Sequence, residues 1–209
     1  IGRGSGAQIE NTAVGRQALY SNIGGYQNSA FGYTALRSNY SGNYNTAVGY
    51  QALYGNNNSY NTAVGWQALY ANTGGASNTA VGSGSLQSND SGIDNVAIGF
   101  LAARNNTTGG NNTAIGDYAL QNNVSGSGNV CVGSLDRFGN YAPAFDISNV
   151  NNYVSIGSTA VTNAYVNVAW TVVSDARDKT NFGAVPHGLD FVTKLNPVSY
   201  QFKVSRDTD

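Results

Sequence analysis

Methionine is absent from this 209-residue sequence, cysteine occurs once, proline three times, and charged side chains make up only 10% of it. Ordinary globular domains carry roughly a quarter charged residues. Each shortage excludes something. A lone cysteine, Cys131, allows no intrachain disulfide and no cysteine-based zinc site. No apolar run approaches the ~18 residues of a transmembrane helix, so membrane insertion is not expected. Ten Lys and Arg stand against eleven Asp and Glu, a formal net charge of −1, which gives no electrostatic case for a nucleic-acid partner. "GRGSGA" near Gly2 lacks the spacing of a dinucleotide fingerprint. The glycine-rich loops lack the aspartate of calcium-binding repeats. Neither a metal nor a cofactor is expected.

What the chain does have is 29 Asn, 27 Gly and 14 Tyr. Low charge with many aromatics argues against disorder, which favours high net charge and few rings. The asparagines open tandem units. They begin at Asn11, Asn28, Asn45, Asn61, Asn78, Asn95, Asn112 and Asn129, so every step is 17 residues except one of 16. Each unit reads approximately N-[TSV]-A-[VI]-G-x-x-A-L, followed by a loop of Asn, Gly and Ser. Ile1-Gly2 reads as the end of an earlier unit, so the chain is expected to be a piece of a longer protein.

A 17-residue unit is about half the length a helical-hairpin repeat needs. "TAVG" reads as a very short strand and a turn, and "x-A-L" as a second short strand. The expected fold is all-β: a parallel β-solenoid or β-roll of 16–17-residue coils, with a short α+β segment at the C-terminus. Coils would stack at ~4.8 Å. Side chains alternate along a strand. The column Val14, Val48, Val64, Val81, Ile98 and Ile115 is expected to point inward, and the column Ala13, Ala47, Ala63, Ala80, Ala97 and Ala114 the other way. Cys131 falls in the alanine column as a small buried side chain. Gly15, Gly49, Gly65 and their equivalents suit a turn needing positive φ. The repeated asparagines are expected to form a hydrogen-bonded ladder.

So short a coil leaves an apolar stripe in water, and identical copies bury such a stripe under cyclic symmetry. A homo-oligomer is therefore expected, a homotrimer with the small alanine face near the shared axis. The "NTAVG…AL" units, from Gly2 to Gly133, resemble repeats of phage tail fibres. They are also similar to the "SVAIG"-type repeats of trimeric autotransporter adhesin heads, a resemblance that implies a left-handed parallel β-roll trimer.

The residue after each glycine varies, through Arg16, Tyr33, Tyr50, Trp66, Ser83, Phe100 and Asp117, and so is expected to face solvent. Tyr33, Tyr50, Trp66 and Phe100 are candidates for stacking on the sugar rings of a host surface glycan. The competing reading of the same rings is cross-coil stacking.

After Gly133 the pattern breaks. Residues 134–173 read as a transition and a β-structured neck, and 174–209 as a separate segment. "SDARDK" and "GLDFVTKLNPVSYQFK", from Ser174 to Lys203, resemble the start of the intramolecular chaperone of endosialidases and related tail fibres, the S74 peptidase family. The resemblance implies a chaperone that drives trimerisation and is released by self-cleavage between Val173 and Ser174, with Ser174 as nucleophile and Lys179 as its partner. A desolvated lysine can take the proton of a serine hydroxyl. Read from the residues alone, Ser174 can equally cap a helix whose Lys179 is solvated. The function expected is a structural fibre protein of a virion tail, extracellular and involved in host attachment to a surface glycan or protein. The alternative is a bacterial cell-surface adhesin built from the same repeats.

Overall fold

The computed structural model describes residues 10–135, 138–145 and 147–162. Nine three-residue strands follow one another: β1 (Thr12–Val14), β2 (Ser29–Phe31), β3 (Thr46–Val48), β4 (Thr62–Val64), β5 (Thr79–Val81), β6 (Val96–Ile98), β7 (Thr113–Ile115), β8 (Val130–Val132) and β9 (Val154–Ile156). They form a single sheet in sequence order, every pair parallel, alanine over alanine in the repeats. This is a parallel β-solenoid, one strand per coil. The 16-residue coil leaves the register intact, since Thr46 still pairs with Thr62. Its missing residue falls in the loop, where Asn56 reaches the carbonyl two residues on and Asn39 or Asn72 the carbonyl three residues on.

The facing of the strand is the reverse of the expectation. The alanine column, together with Ala30 and Cys131, lies inside the coil of a single chain, while Phe31, Val48, Val64, Val81, Ile98, Ile115 and Val132 remain 36–41% exposed. The reason is cross-section: the buried leucine and asparagine columns fill most of the interior of a coil this short, and the strand is left a methyl-sized space that alanine fills and valine exceeds. Alanine therefore cannot line an axis shared between chains. The interior is completed by the Ala-Leu pairs, such as Ala52-Leu53 and Ala68-Leu69, all fully buried.

The second strand does not form either. Gln51 and Leu53 have φ of 56° and 51°, as do their counterparts Gln67 and Leu69 at 51° and 50°. Left-handed residues at alternate positions turn the chain sharply and aim Ala and Leu inward. Their N–H groups still bond along the stack, Gln51 to Tyr33 O at 3.0 Å and Leu53 to Ala68 O at 3.0 Å. The ladder's hydrogen bonds offset a strain of about 1 kcal/mol or more per residue.

The turn glycines behave as expected. Gly49 and Gly65 sit at φ 136°, a region glycine alone enters readily. A Cβ at Gly65 would lie 2.5 Å from Gly82 O of the next coil.

The asparagines form two buried ladders. In the first, Asn28 N–H donates to Asn11 Oδ1 at 2.8 Å and Asn28 Nδ2 to Gly42 O at 2.8 Å, a pattern repeated up to Asn129. In the second, Asn72 Nδ2 donates to Asn56 Oδ1 at 2.9 Å and Gly75 O at 2.8 Å, and Asn72 Oδ1 accepts from Asn89 Nδ2 at 2.8 Å. Asn39 and Asn106, which match the glycosylation motif, are rungs of this second column and fully buried. Amides stacked this way satisfy one another in an interior too small for water.

Sequence periodicity ends at Gly133, yet the ladder continues. After a 24-residue step, Tyr153 N–H donates to Asn129 Oδ1 and β9 pairs with β8. At the same offset from Asn123 stands buried Ile147, and Asn123 Oδ1 accepts no hydrogen bond. The second ladder ends there. The segment Ala142–Phe145 folds back on β9, Ala144 N–H donating to Gly157 O at 3.2 Å and Phe145 N–H to Ser155 Oγ at 3.3 Å.

Candidate functional site

The coil's outer surface has three parts, each a set of columns running along the stack. The first is the strand face. First and third strand residues point outward, so the face is Thr and Val in one column and Val, Ile and Phe in the other. At ~4.8 Å per rung it is roughly 40 Å long. It contains no charged side chain among the described residues.

The second part is the corner between the turn glycine and the second asparagine ladder. Here lie the sequence-predicted residues Tyr33, Tyr50, Trp66 and Phe100, all exposed as their variability implies. Tyr33 and Tyr50 stack on each other, centroids 5.4 Å apart and planes 11° apart, and Phe100 meets Tyr118 edge-on at 5.3 Å. Cross-coil stacking therefore occupies part of their faces, as the competing reading holds. Trp66 is 49% exposed. A neighbouring column, four residues further on, runs Tyr20, Arg37, Tyr54, Tyr70, Gln87 and Arg104. Arg37 lies 5.6 Å from the Tyr20 ring and 5.7 Å from the Tyr54 ring, and Tyr54 stacks on Tyr70 at 5.2 Å. Gln51 and Gln67, between the columns, join Gln87 and Arg104 of the second column in a chain of side-chain hydrogen bonds.

The third part is the loop between the two asparagine ladders. Tyr44 packs on Tyr60 at 5.0 Å and meets Tyr26 edge-on at 5.4 Å. The side-chain hydrogen bond with Tyr26, followed by desolvation and the nearby Glu10 and Tyr60, holds the Tyr44 hydroxyl above the ordinary phenol range. It stays neutral at physiological pH. Sequence reasoning missed this cluster because its members sit in the least regular part of the unit.

Charge is divided between these surfaces. The described cations Arg16, Arg37 and Arg104 all lie on the corner, whereas Glu10, Asp90 and Asp94 lie on the loop side. Asp117 is the exception, at the corner of the seventh coil, where its carboxylate accepts from Phe100 N–H at 2.8 Å. No group of three or more metal-ligating side chains occurs among the described residues. The candidate cleavage residues Val173, Ser174 and Lys179 lie outside the described residues.

Over residues 174–209 the chain matches the family described as the chaperone of endosialidase. No curated protein and no solved structure gives a significant match.

Proposed function

We propose that the chain is a segment of a homotrimeric, tail-fibre-like protein, whose solenoid is a rigid shaft used in host attachment and whose C-terminal segment is an intramolecular chaperone removed by self-cleavage. Two observations together carry the reading: the uncharged strand face running along nine rungs, and the match of residues 174–209 to the endosialidase chaperone family. The occupant of that face is a further copy of the same chain. Burying what remains exposed of one Val or Ile side chain contributes on the order of 1 kcal/mol, and the column repeats in every coil. Parallel copies in register set identical columns against one another, and the resemblance of the C-terminal segment implies three of them. The axis runs beside the Val, Ile and Phe column, in place of the alanine column the sequence put there.

Two experiments test this. Native mass spectrometry of the chain bearing its complete C-terminal domain is expected to give a trimer, and V81K/I98K a monomer, because two lysines in the strand face cannot be desolvated there. A monomeric parent protein would overturn the trimer. Intact mass under denaturing conditions is expected to show a fragment ending at Val173, absent from Ser174→Ala. Full-length chains in both would remove the self-cleavage and favour a permanently joined surface adhesin built from the same repeats.

A further inference from the structure

The corner combines three features that the shaft's own stability does not require. Every described cation of the solenoid is on it, none is within ion-pair distance of a described carboxylate, and the acids of the first six coils lie on the loop side. Arg37 is the most organised of the three. Its guanidinium carbon lies over the rings of Tyr20 and Tyr54, in the coils before and after it, and Nη1 donates to Tyr54 Oη at 3.1 Å. Its other N–H groups have no acceptor among the described residues. A planar cation held between two rings can still donate from its edge, and that edge suits the oxygens of a carboxylate or phosphate. Arg16, one coil earlier in the neighbouring column, is placed over Tyr33 at 6.0 Å. Arg104 lies four coils beyond Arg37, about 19 Å along the stack at ~4.8 Å each. Among these cations stand exposed Tyr20, Tyr50 and Trp66 and the amides of Gln51 and Gln67.

We infer that this corner is a binding track for an acidic polysaccharide, with Arg37 as its principal anion contact. The exposed parts of Tyr50 and Trp66 meet sugar faces, the glutamine amides meet hydroxyls, and the widely spaced arginines meet oxyanions that are equally sparse along the chain. Single-stranded nucleic acid fits less well. It carries a phosphate on every unit and needs open ring faces for its bases, whereas Tyr33 with Tyr50 and Tyr54 with Tyr70 already stack on each other. This assignment rests on the host-attachment reading and names its receptor class.

The test is binding of the trimer with its complete C-terminal domain to an array of acidic and neutral bacterial surface saccharides and to single-stranded DNA, followed by titration with Trp66 fluorescence as the reporter. A carboxylated or phosphorylated saccharide is expected to bind at least tenfold more tightly than its neutral counterpart, and more weakly as salt rises. Which anion binds distinguishes carboxylate from phosphate. Arg37→Gln is expected to weaken binding at least tenfold with unchanged thermal unfolding, and Asp94→Asn, on the loop side, to leave it unaltered. Binding only to neutral saccharides overturns the acidic specificity and leaves host attachment standing. No saccharide bound at about 1 mM overturns the saccharide track and leaves attachment to a surface protein, and tighter binding to DNA overturns the track likewise.

Discussion

Gly65→Ala destabilises the solenoid by more than about 3 kcal/mol, while Gly74→Ala, a loop change in the same coil, costs no more than about 0.5 kcal/mol. The first estimate joins two effects. Gly65 holds φ 136°, where a side chain is strained by about 1–3 kcal/mol. Its added Cβ would also lie 2.5 Å from Gly82 O and 2.7 Å from Gly82 C. Those atoms are backbone, so the clash is relieved only by parting the fourth and fifth coils. Parting them stretches the bond from Gly82 N–H to Val64 O, now 2.8 Å, and its neighbours. At Gly74 the nearest atom to an added Cβ is Ser91 Cβ at 3.6 Å, an ordinary contact, and φ is not in the left-handed region. Urea unfolding followed by circular dichroism at matched protein concentration measures both. Because each coil touches only its neighbours, a weakened interface can also divide the melt in two, with coils on either side of Gly65 unfolding separately. Equal losses at Gly65 and Gly74 would refute close coil approach as the reason for the glycine.

Asn72→Asp is the second large effect, and it depends on pH. Asn72 Nδ2 donates to two oxygens, Asn56 Oδ1 and Gly75 O, in a site with no exposure to water. A carboxylate of the same shape turns an acceptor toward those two acceptors. It is also a buried charge without a partner. Burial and the facing oxygens raise the pKa of the new acid above its unfolded value. The folded variant then binds more protons than the unfolded chain, so its stability falls as pH rises through the two pKa values and recovers as pH is lowered. The expected loss at pH 7 is several kcal/mol, shrinking toward pH 4. Asn72→Ala removes both of those hydrogen bonds and the one accepted from Asn89 Nδ2, with a loss of about 2–4 kcal/mol that does not vary with pH. Thermal unfolding of the two variants across this range distinguishes them. A pH-independent deficit in Asn72→Asp would mean that the site admits water.

The period, the TAV strand of each coil and the turn glycines were legible, because stacking repeats the same demand every 16 or 17 residues, whereas the second strand expected at x-A-L does not form. Which face of the strand is inside was not. Alternation places Ala63 and Val64 on opposite sides, and apolar ranking prefers valine inside, but the decision belongs to the width of the coil. The left-handed pairs Gln51 and Leu53 carry no local signal, since leucine disfavours that conformation and stacking imposes it. The second asparagine column was readable as an Asn three residues after the Leu of the Ala-Leu pair, as in Leu69 and Asn72, with Ala103 in place of Leu before Asn106. At the candidate site, variability correctly indicated that Tyr33, Tyr50, Trp66 and Phe100 face outward. Arg16, Arg37 and Arg104 are too scattered in sequence to be read as a group, and only the winding of the chain brings them onto one corner.

The short third coil has an engineering consequence. It loses a residue between its two asparagine rungs while its strand keeps perfect register, so chain length in that loop is decoupled from the stack. Each such loop is a port for a grafted peptide, and the ports recur at a fixed pitch of ~4.8 Å along one side. Epitopes inserted after Gly74, Ser91 and Thr108 would be displayed in a line whose spacing is set by the rung number alone, a molecular ruler written in units of seventeen residues.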